Sequence, residues 1–443
     1  MTQPRRLLLA SAALIALAAA PARAELDVSG LKSTIAASLE RDYPALDALY
    51  KDLHAHPELA FQEVKTAAKL AEQMRALGFE VTEKVGKTGL VALYRNGEGP
   101  TIMVRTELDA LPMEEKTGLP YASRDTANWN GRETFVAHSC GHDVHMVSWV
   151  GTARTLIGLK DKWKGTLMFV GQPAEEEVAG AKAMLADGLF TRFPKPDVGF
   201  ALHSGGFAHG DVTYRVGVGS SSMDGLSIRF YGRGVHDSAP HTTIKPIMMA
   251  ARFLVDLQSV IRREKDPTEP GVLVGVIQGG TASEIIPDDA VMPVTIRSFR
   301  PEARAKMLGE IERTAMAVAA MAGAPRPGIE LEQRTDAVIN DDALVAAAEP
   351  VLKAAFGDRL TRSPPSTASD DYAEYVKAGV PSMVFNIGVY DPERVTAARH
   401  GGPRLPPNRS QLFAPVPKPT IETGVTAMTL AVLSAFDARA RRH

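Results

Sequence analysis

The stretch Thr166-Leu167-Met168-Phe169-Val170-Gly171-Gln172-Pro173-Ala174-Glu175-Glu176-Glu177 decides how this chain is read. Its first five residues form a short apolar run, as expected of a strand buried on both faces of a sheet. Three carboxylates follow almost at once. Carboxylates at the carboxyl end of a parallel strand stand where an α/β sheet presents its site. One of two adjacent glutamates can ligate a metal while its neighbour takes a proton from water. Taken alone, such a run is usually a solvated helix start, so its meaning depends on its surroundings.

Working outward, apolar residues recur at helical spacing over 31–53 and over 64–77, where Gly78 supplies a stop. Short β-like runs at 90–94 and 101–106 precede a helical stretch over 144–159. Beyond the glutamates come a helical stretch at 181–185 and a strand at 198–203. This alternation predicts an α/β fold with a mostly parallel central sheet and helices on its faces. From Met223 the character changes. Residues 226–231 alternate like a half-exposed strand, a helix starts near Pro246, strands follow at 272–278 and 290–299, and a helix spans 301–321. The order β-α-β-β-α, with a final β expected, is that of a small α+β (ferredoxin-like) unit with an antiparallel sheet. Helical pattern returns near Asp341, and 381–387 reads as a core strand. A catalytic domain over 25–222 and 333–443 is therefore expected, interrupted by an inserted unit over 223–332.

Residues 1–24 read as a targeting segment. Arg5 and Arg6 make a positive n-region, 7–20 an apolar run, and Ala22-Arg23-Ala24 a small-residue cleavage site. An uncleaved N-terminal anchor is the alternative, and the arginine pair leaves both the general and the twin-arginine export routes open. The expectation is an exported protein, periplasmic or secreted, with no membrane association after cleavage. Losing Arg5, Arg6 and Arg23 leaves 47 basic residues against 52 acidic ones, a net charge of about −5. No basic tract stands out, which speaks against nucleic acid and anionic membranes as partners. Cys140 is the only cysteine, so an internal disulfide is excluded and the thiol itself becomes interesting.

That thiol lies in the densest polar cluster, His138-Ser139-Cys140-Gly141-His142-Asp143-Val144-His145. Three imidazoles, a thiol and a carboxylate in eight residues match the ligand set of a transition metal. Gly141 lets the backbone turn so that Cys140 and His142 converge, and His145 supports them from behind. Glu107 and Asp109, ending the strand at 101–106, point to one face of an extended chain and can orient ligand histidines. His203 ends another strand, where a lone histidine is structural more often than not. His54, His56 and Glu58 are also of ligand type, but a structural role is favoured because they precede the sheet.

In this order and spacing, these stretches resemble the metallopeptidase/amidohydrolase family of hippurate hydrolases, indole-acetyl-amino acid hydrolases and N-acyl amino acid deacylases. The inserted unit adds Gly232-Arg233-Gly234-Val235-His236-Asp237-Ser238-Ala239-Pro240-His241, similar to the family's lid motif; Gly279–Ala282, Ile286-Pro287 and Arg297 fit its later lid strands. The resemblance covers nearly the whole chain beyond residue 24. It implies a zinc-peptidase-like catalytic domain with a lid/dimerisation domain, a homodimer, and hydrolysis of small N-acyl amino acids or dipeptide-like substrates. It also implies a two-metal site for divalent ions (zinc, manganese or similar), one or two per subunit given the departure below, with Cys140, His142, Glu176 and His203 as ligands and Glu175 as general base. His236 takes the role of oxyanion donor, a contact typically worth about 3–4 kcal/mol. Arg297 is a weaker candidate for gripping the substrate carboxylate.

One departure stands out. Where the family has a C-terminal histidine ligand, the matching stretch reads Leu405-Pro406-Pro407-Asn408-Arg409-Ser410. A guanidinium stays charged and has no lone pair to give a metal. Three outcomes stay open: a single ion with Arg409 standing in for the second, a weak substitute ligand in Asn408 or His400, or lost activity. In the last case the fold serves as a binding protein, with Arg409 holding an anionic ligand. Asp237, Glu284 and Ser369-Asp370-Asp371 are smaller departures.

Overall fold

The computed structural model describes residues 26–234, 243–264 and 268–440. The expected targeting segment over 1–24 and His236 lie outside the described residues. Helices α1 (Val28–Ala55) and α2 (Val64–Ala76) precede strands β1 (Glu80–Val85), β2 (Gly89–Asn96) and β3 (Thr101–Glu107). A hairpin of β4 (Thr126–Trp129) and β5 (Arg132–Phe135) leads to α3 (His142–Gly158), β6 (Gly165–Gln172), α4 (Gly180–Ala186), α5 (Leu189–Arg192) and β7 (Val198–Ala208). Next come β8 (Val212–Tyr214), β9 (Gly217–Val218), β10 (Ser222–Tyr231), α6 (Pro246–Glu264), β11 (Gly271–Val274), β12 (Asp289–Ser298), α7 (Pro301–Met321) and β13 (Gly328–Thr335). The chain closes with β14 (Ile339–Asn340), α8 (Asp342–Phe356), β15 (Leu360–Arg362), α9 (Ala373–Lys377), β16 (Ser382–Tyr390), α10 (Pro392–Arg399) and α11 (Pro417–Ala440).

Eight strands form one sheet in the order β1-β2-β6-β3-β7-β16-β8-β15. Its heart, β6-β3-β7-β16, is parallel, and antiparallel pairings lie towards the edges. The fully buried run Leu167–Val170 explains why β6 reads as a continuous apolar stretch. Helices cover both faces. On one, α1, α3, α8 and α11 close a core around Tyr50, Trp149, Trp163, Phe169 and Phe200; on the other, Met184, Tyr372 and Tyr375 pack against Met103, Met168 and Val170. Each fully buried large apolar side chain contributes about 1.5–3 kcal/mol.

Local signals set the helix ends. The Asp27 side chain accepts from Gly30 N at 2.9 Å to start α1, and Asp341 accepts from Leu344 N at 2.7 Å to start α8. α11 is long and apolar enough to cross a bilayer, but most of its apolar window is buried inside the fold. It is a core helix, apolar nearly all round because neighbours surround it.

The second sheet is antiparallel, in the order β11-β12-β10-β13, with α6 and α7 on it and a separate apolar cluster around Ile228, Phe230, Phe253 and Ile296. Its β-α-β-β-α-β path is the one the sequence pattern suggests. β11 is shorter than the apolar pattern over 272–278 implies: it ends at Val274, and only Gln278 rejoins the sheet, through a bridge to Val291. Gly275 interrupts the run, and Val276 and Ile277 are exposed.

Candidate metal centre

The centre lies at the carboxyl ends of β3, β6 and β7, where the parallel heart of the sheet opens. β3 ends in Arg105, Glu107 and then Asp109; β6 runs into Glu175 and Glu176; β7 carries His203. The loop before α3 brings Cys140 and His142 over these ends. Gly141 makes that possible: its φ is 84°, and a Cβ there would meet Ser204 Oγ at 2.5 Å. Both backbone and space demand glycine.

The three glutamates do not start a helix. Residues 175–178 form a turn flanked by positive φ at Ala174 (48°) and Val178 (54°). The turn sends the adjacent side chains apart. Glu176 joins Cys140 and His142, with donor atoms all within 4.8 Å of one another, whereas Glu175 joins Asp370 and Asp371. His203 Nε2 lies 3.7 Å from Cys140 Sγ. His142 Nδ1 is held by the Asp109 carbonyl at 2.7 Å, which leaves Nε2 buried and without a hydrogen bond, 3.9 Å from Glu175 Oε2. Glu176 Oε1 and Asp109 Oδ1 are likewise buried and without a hydrogen bond, Asp109 Oδ1 lying 3.5 Å from His142 Nδ1. Bare sulfur, nitrogen and oxygen donors converging in one buried place fit a divalent transition ion.

His145 is placed behind these groups. Its Nδ1 is 3.0 Å from Glu107 Oε2, and its Nε2 accepts from Ser204 N at 2.7 Å, so neither nitrogen is free. Asp109 positions two neighbours at once, through its carbonyl to His142 and through Oδ2 to Glu176 N at 2.9 Å. Such contacts fix ligand orientation.

Charge shapes the chemistry. Burial pushes the Cys140 thiol up, but His142 and His203 beside it hold it well below its ordinary value, so the thiolate form is favoured. Burial, together with the charges of Asp370 and Glu176, raises Glu175 well above the usual carboxylate range. Burial and the Cys140 charge do the same to Glu176. A base and its neighbour are thus brought closer to working pH.

Arg409 reaches this centre. It forms an ion pair with Glu176 Oε2, and its backbone N donates to Ser139 O at 2.6 Å. Asn408 turns its amide nitrogen to the carbonyls of Cys140 (3.0 Å) and Ser204 (3.3 Å), so it binds the loop rather than offering an oxygen inward. His400 is an exposed residue at the end of α10. Arg297 donates to Thr367 O at 3.2 Å and Ser369 Oγ at 3.1 Å; burial and the charge of Arg409 lower its pKa.

Two features escape the sequence patterns. Arg105 is buried and pairs with Glu107, with Asp370 at 2.9 Å and with Asp371 at 3.3 Å, while Gln172 Nε2 donates to Asp371 at 2.6 Å. Asp370 stands 265 residues from Arg105, beyond any local pattern. Arg215 lines a cleft of about 80 Å³ with His203, Ser369, Asp370 and Asn386. Its Nη1 donates to Ser363 O at 3.0 Å, and its Nε is buried and unpartnered. An arginine followed by a glycine-rich linker was the sole signal available for it.

Comparison with known proteins agrees with this geometry. Residues 103–401 match peptidase family M20/M25/M40. The hippurate hydrolase of Campylobacter jejuni is 35% identical over 329 residues, 72% of this chain and 82% of that protein. An N-acetylcysteine deacetylase of Bacillus subtilis is 33% identical over 335 residues, 73% of this chain and 83% of that protein. The crystal structure of the Bacillus subtilis YXEP protein, a dinuclear metal-binding peptidase of the M20 family, superposes with a TM-score of 0.72 at 27% identity, covering 90% of this chain and 99% of that one. The chain belongs to peptidase family M20/M25/M40. It is a metal-dependent hydrolase of amide bonds.

Proposed function

We propose that the chain is an exported amidohydrolase that cleaves the amide bond of a small N-acyl amino acid or dipeptide-like substrate. The observation that carries the reading is the divergence of Glu175 and Glu176 from one turn: Glu176 faces Cys140 and His142, and Glu175 stands beside Asp370 and Asp371 with Oε2 3.9 Å from His142 Nε2. Cys140, His142, Glu176 and His203 would hold the divalent ion. An ion held by these residues would supply Lewis acidity to the scissile carbonyl and the attacking water. Glu175 takes the proton from that water as its oxygen adds to the carbonyl carbon. When the C–N bond breaks, the same carboxyl delivers the proton to the leaving amine. Burial beside Asp370 and Glu176 raises its pKa, which favours its holding the proton between the two steps.

Substrate preference follows from charge. Arg297 and Arg215 both donate to the 363–369 loop, and Arg215 lines the cleft beside His203. A guanidinium there can grip the carboxylate of an amino-acid substrate. The names of the hippurate hydrolase and N-acetylcysteine deacetylase relatives support an N-acyl amino acid. A homodimer is supported by exposed apolar side chains on the four-stranded unit, Met248 (64%) and Val255 (68%) on α6 and Leu273 (67%) on edge strand β11. The 1–24 pattern supports export.

The test is a panel of N-acetyl and N-benzoyl amino acids incubated with purified protein, with the liberated amine read by mass spectrometry. The wild type releases amine and a chelator stops it. Glu175→Gln lowers kcat about 10²–10⁴-fold while metal content stays the same. Turnover that survives both treatments sinks the mechanism.

A further inference from the structure

We propose that the Arg409 guanidinium takes the place of a second cation, so that the centre holds a single divalent ion per chain. The inference rests on the reading of Cys140, His142, Glu176 and His203 as a metal site and deepens it.

Glu176 is divided between two charges. Oε2 is engaged by Arg409, whereas Oε1 is buried and bare beside Cys140 and His142. A carboxylate that bridged two ions would need both oxygens for metal; here one is already committed to a fixed cation. The guanidinium carries only donors and stays protonated at any working pH, so it cannot be drawn into a second ion's coordination. Its charge also faces the Cys140 thiol and Glu175, two further anions available to a second ion. A second divalent ion would meet that like charge in a partly dry site, where repulsion is strong.

Arg409 is not a loose surface side chain that happens to touch the site. Its φ of 67° is a left-handed conformation that a non-glycine residue adopts only when its surroundings impose it. The surroundings are visible: Arg409 N is held by Ser139 O at 2.6 Å, and Asn408 ties the same turn to the carbonyls of Cys140 and Ser204. The turn is stitched to the loop that presents Cys140, and the guanidinium is delivered from it. The side chain remains 55% exposed on its outer side, so it stands at the mouth of the centre rather than beneath it. The YXEP protein is a dinuclear metal-binding peptidase of the same family; the present chain replaces one of the two ions with a built-in positive charge.

The experiment counts metal. Full-length purified protein is stripped with a chelator, reloaded with zinc or with manganese, desalted and analysed for metal per chain by mass spectrometry, with calorimetric titration as a second count. The wild type is expected near one ion per chain, Arg409→Lys near one because the charge is kept, and Arg409→His near two. Two ions in the wild type, or one in a folded Arg409→His protein, overturn the proposal. No ion in the wild type overturns it together with the metal-site reading. One ion in a wild type that hydrolyses none of the amides tested supports the proposal and removes only the proposed substrate class.

Discussion

At the carboxyl ends of β3 and β6 the chain buries Arg105, Glu107, Glu175, Asp370 and Asp371 within reach of one another. The four-stranded unit buries an apolar layer instead, Ile228, Phe230, Phe253, Met292 and Ile296, together with a compact ion pair, Arg304 with Asp224. The helices of both regions bury apolar stripes in the same way. Their difference lies in what each sheet does with charge. Buried ions rarely stabilise more than a well-packed apolar core of equal volume would. Their concentration at one rim therefore marks a cost accepted for chemistry, and the other sheet buries fewer of them.

The sharpest way to break this contrast is Arg105→Met. It leaves Glu107, Asp370 and Asp371 buried without their counter-ion and should cost about 5 kcal/mol, read by urea unfolding. A midpoint that stays within error of the wild type would mean the network carries no burden and the two sheets do not differ. Next comes His54, whose ring bridges Asp143 (2.6 Å) and Glu115 (3.1 Å) where α1 meets the metal-centre loop. Burial lowers its pKa, but the two carboxylates outweigh that and raise it from 6.5 to about 10. A pKa raised in the folded state means stability that is fully present below pH 6.5 and is lost as pH climbs towards 10. His54→Gln should therefore cost about 3 kcal/mol at pH 6, and the gap to wild type should close as pH approaches 10. A gap that is constant across the window would show the ring to be neutral in the fold. The smallest effect belongs to the apolar region. Ile228→Val should cost about 0.5–1.5 kcal/mol and leave metal content and turnover unchanged; a loss of metal would tie the two regions together far more tightly than their separate cores suggest.

The sequence disclosed what short-range physics writes. The apolar run of β6 and the cluster from His138 to His145 are local, and so is the substitution at Arg409. What stayed hidden is long-range. Arg105 looks like one more polar residue in a strand until Asp370 and Asp371 arrive from a distant loop. His203 reads as a structural histidine on its own, and only the fold brings it to Cys140. The three glutamates look like a helix start because nothing in their spacing announces positive φ at Ala174 and Val178. α11 shows no single apolar stripe, since burial on nearly every side removes the polar face by which a helix is recognised.

The place of β16 has a consequence for how this molecule is made. It pairs in parallel with β7, Asn386 opposite His203, and every residue of the four-stranded unit lies between the two in the chain. During synthesis β7 therefore presents an open parallel edge until residues 382–390 leave the ribosome, while β10, β12 and β13 can already find one another. Non-local pairing of this kind is slow, and an open edge invites association with other chains. The metal centre is thus among the last parts of the molecule to acquire its walls, and a nascent chain short of β16 carries an edge on which another strand can pair.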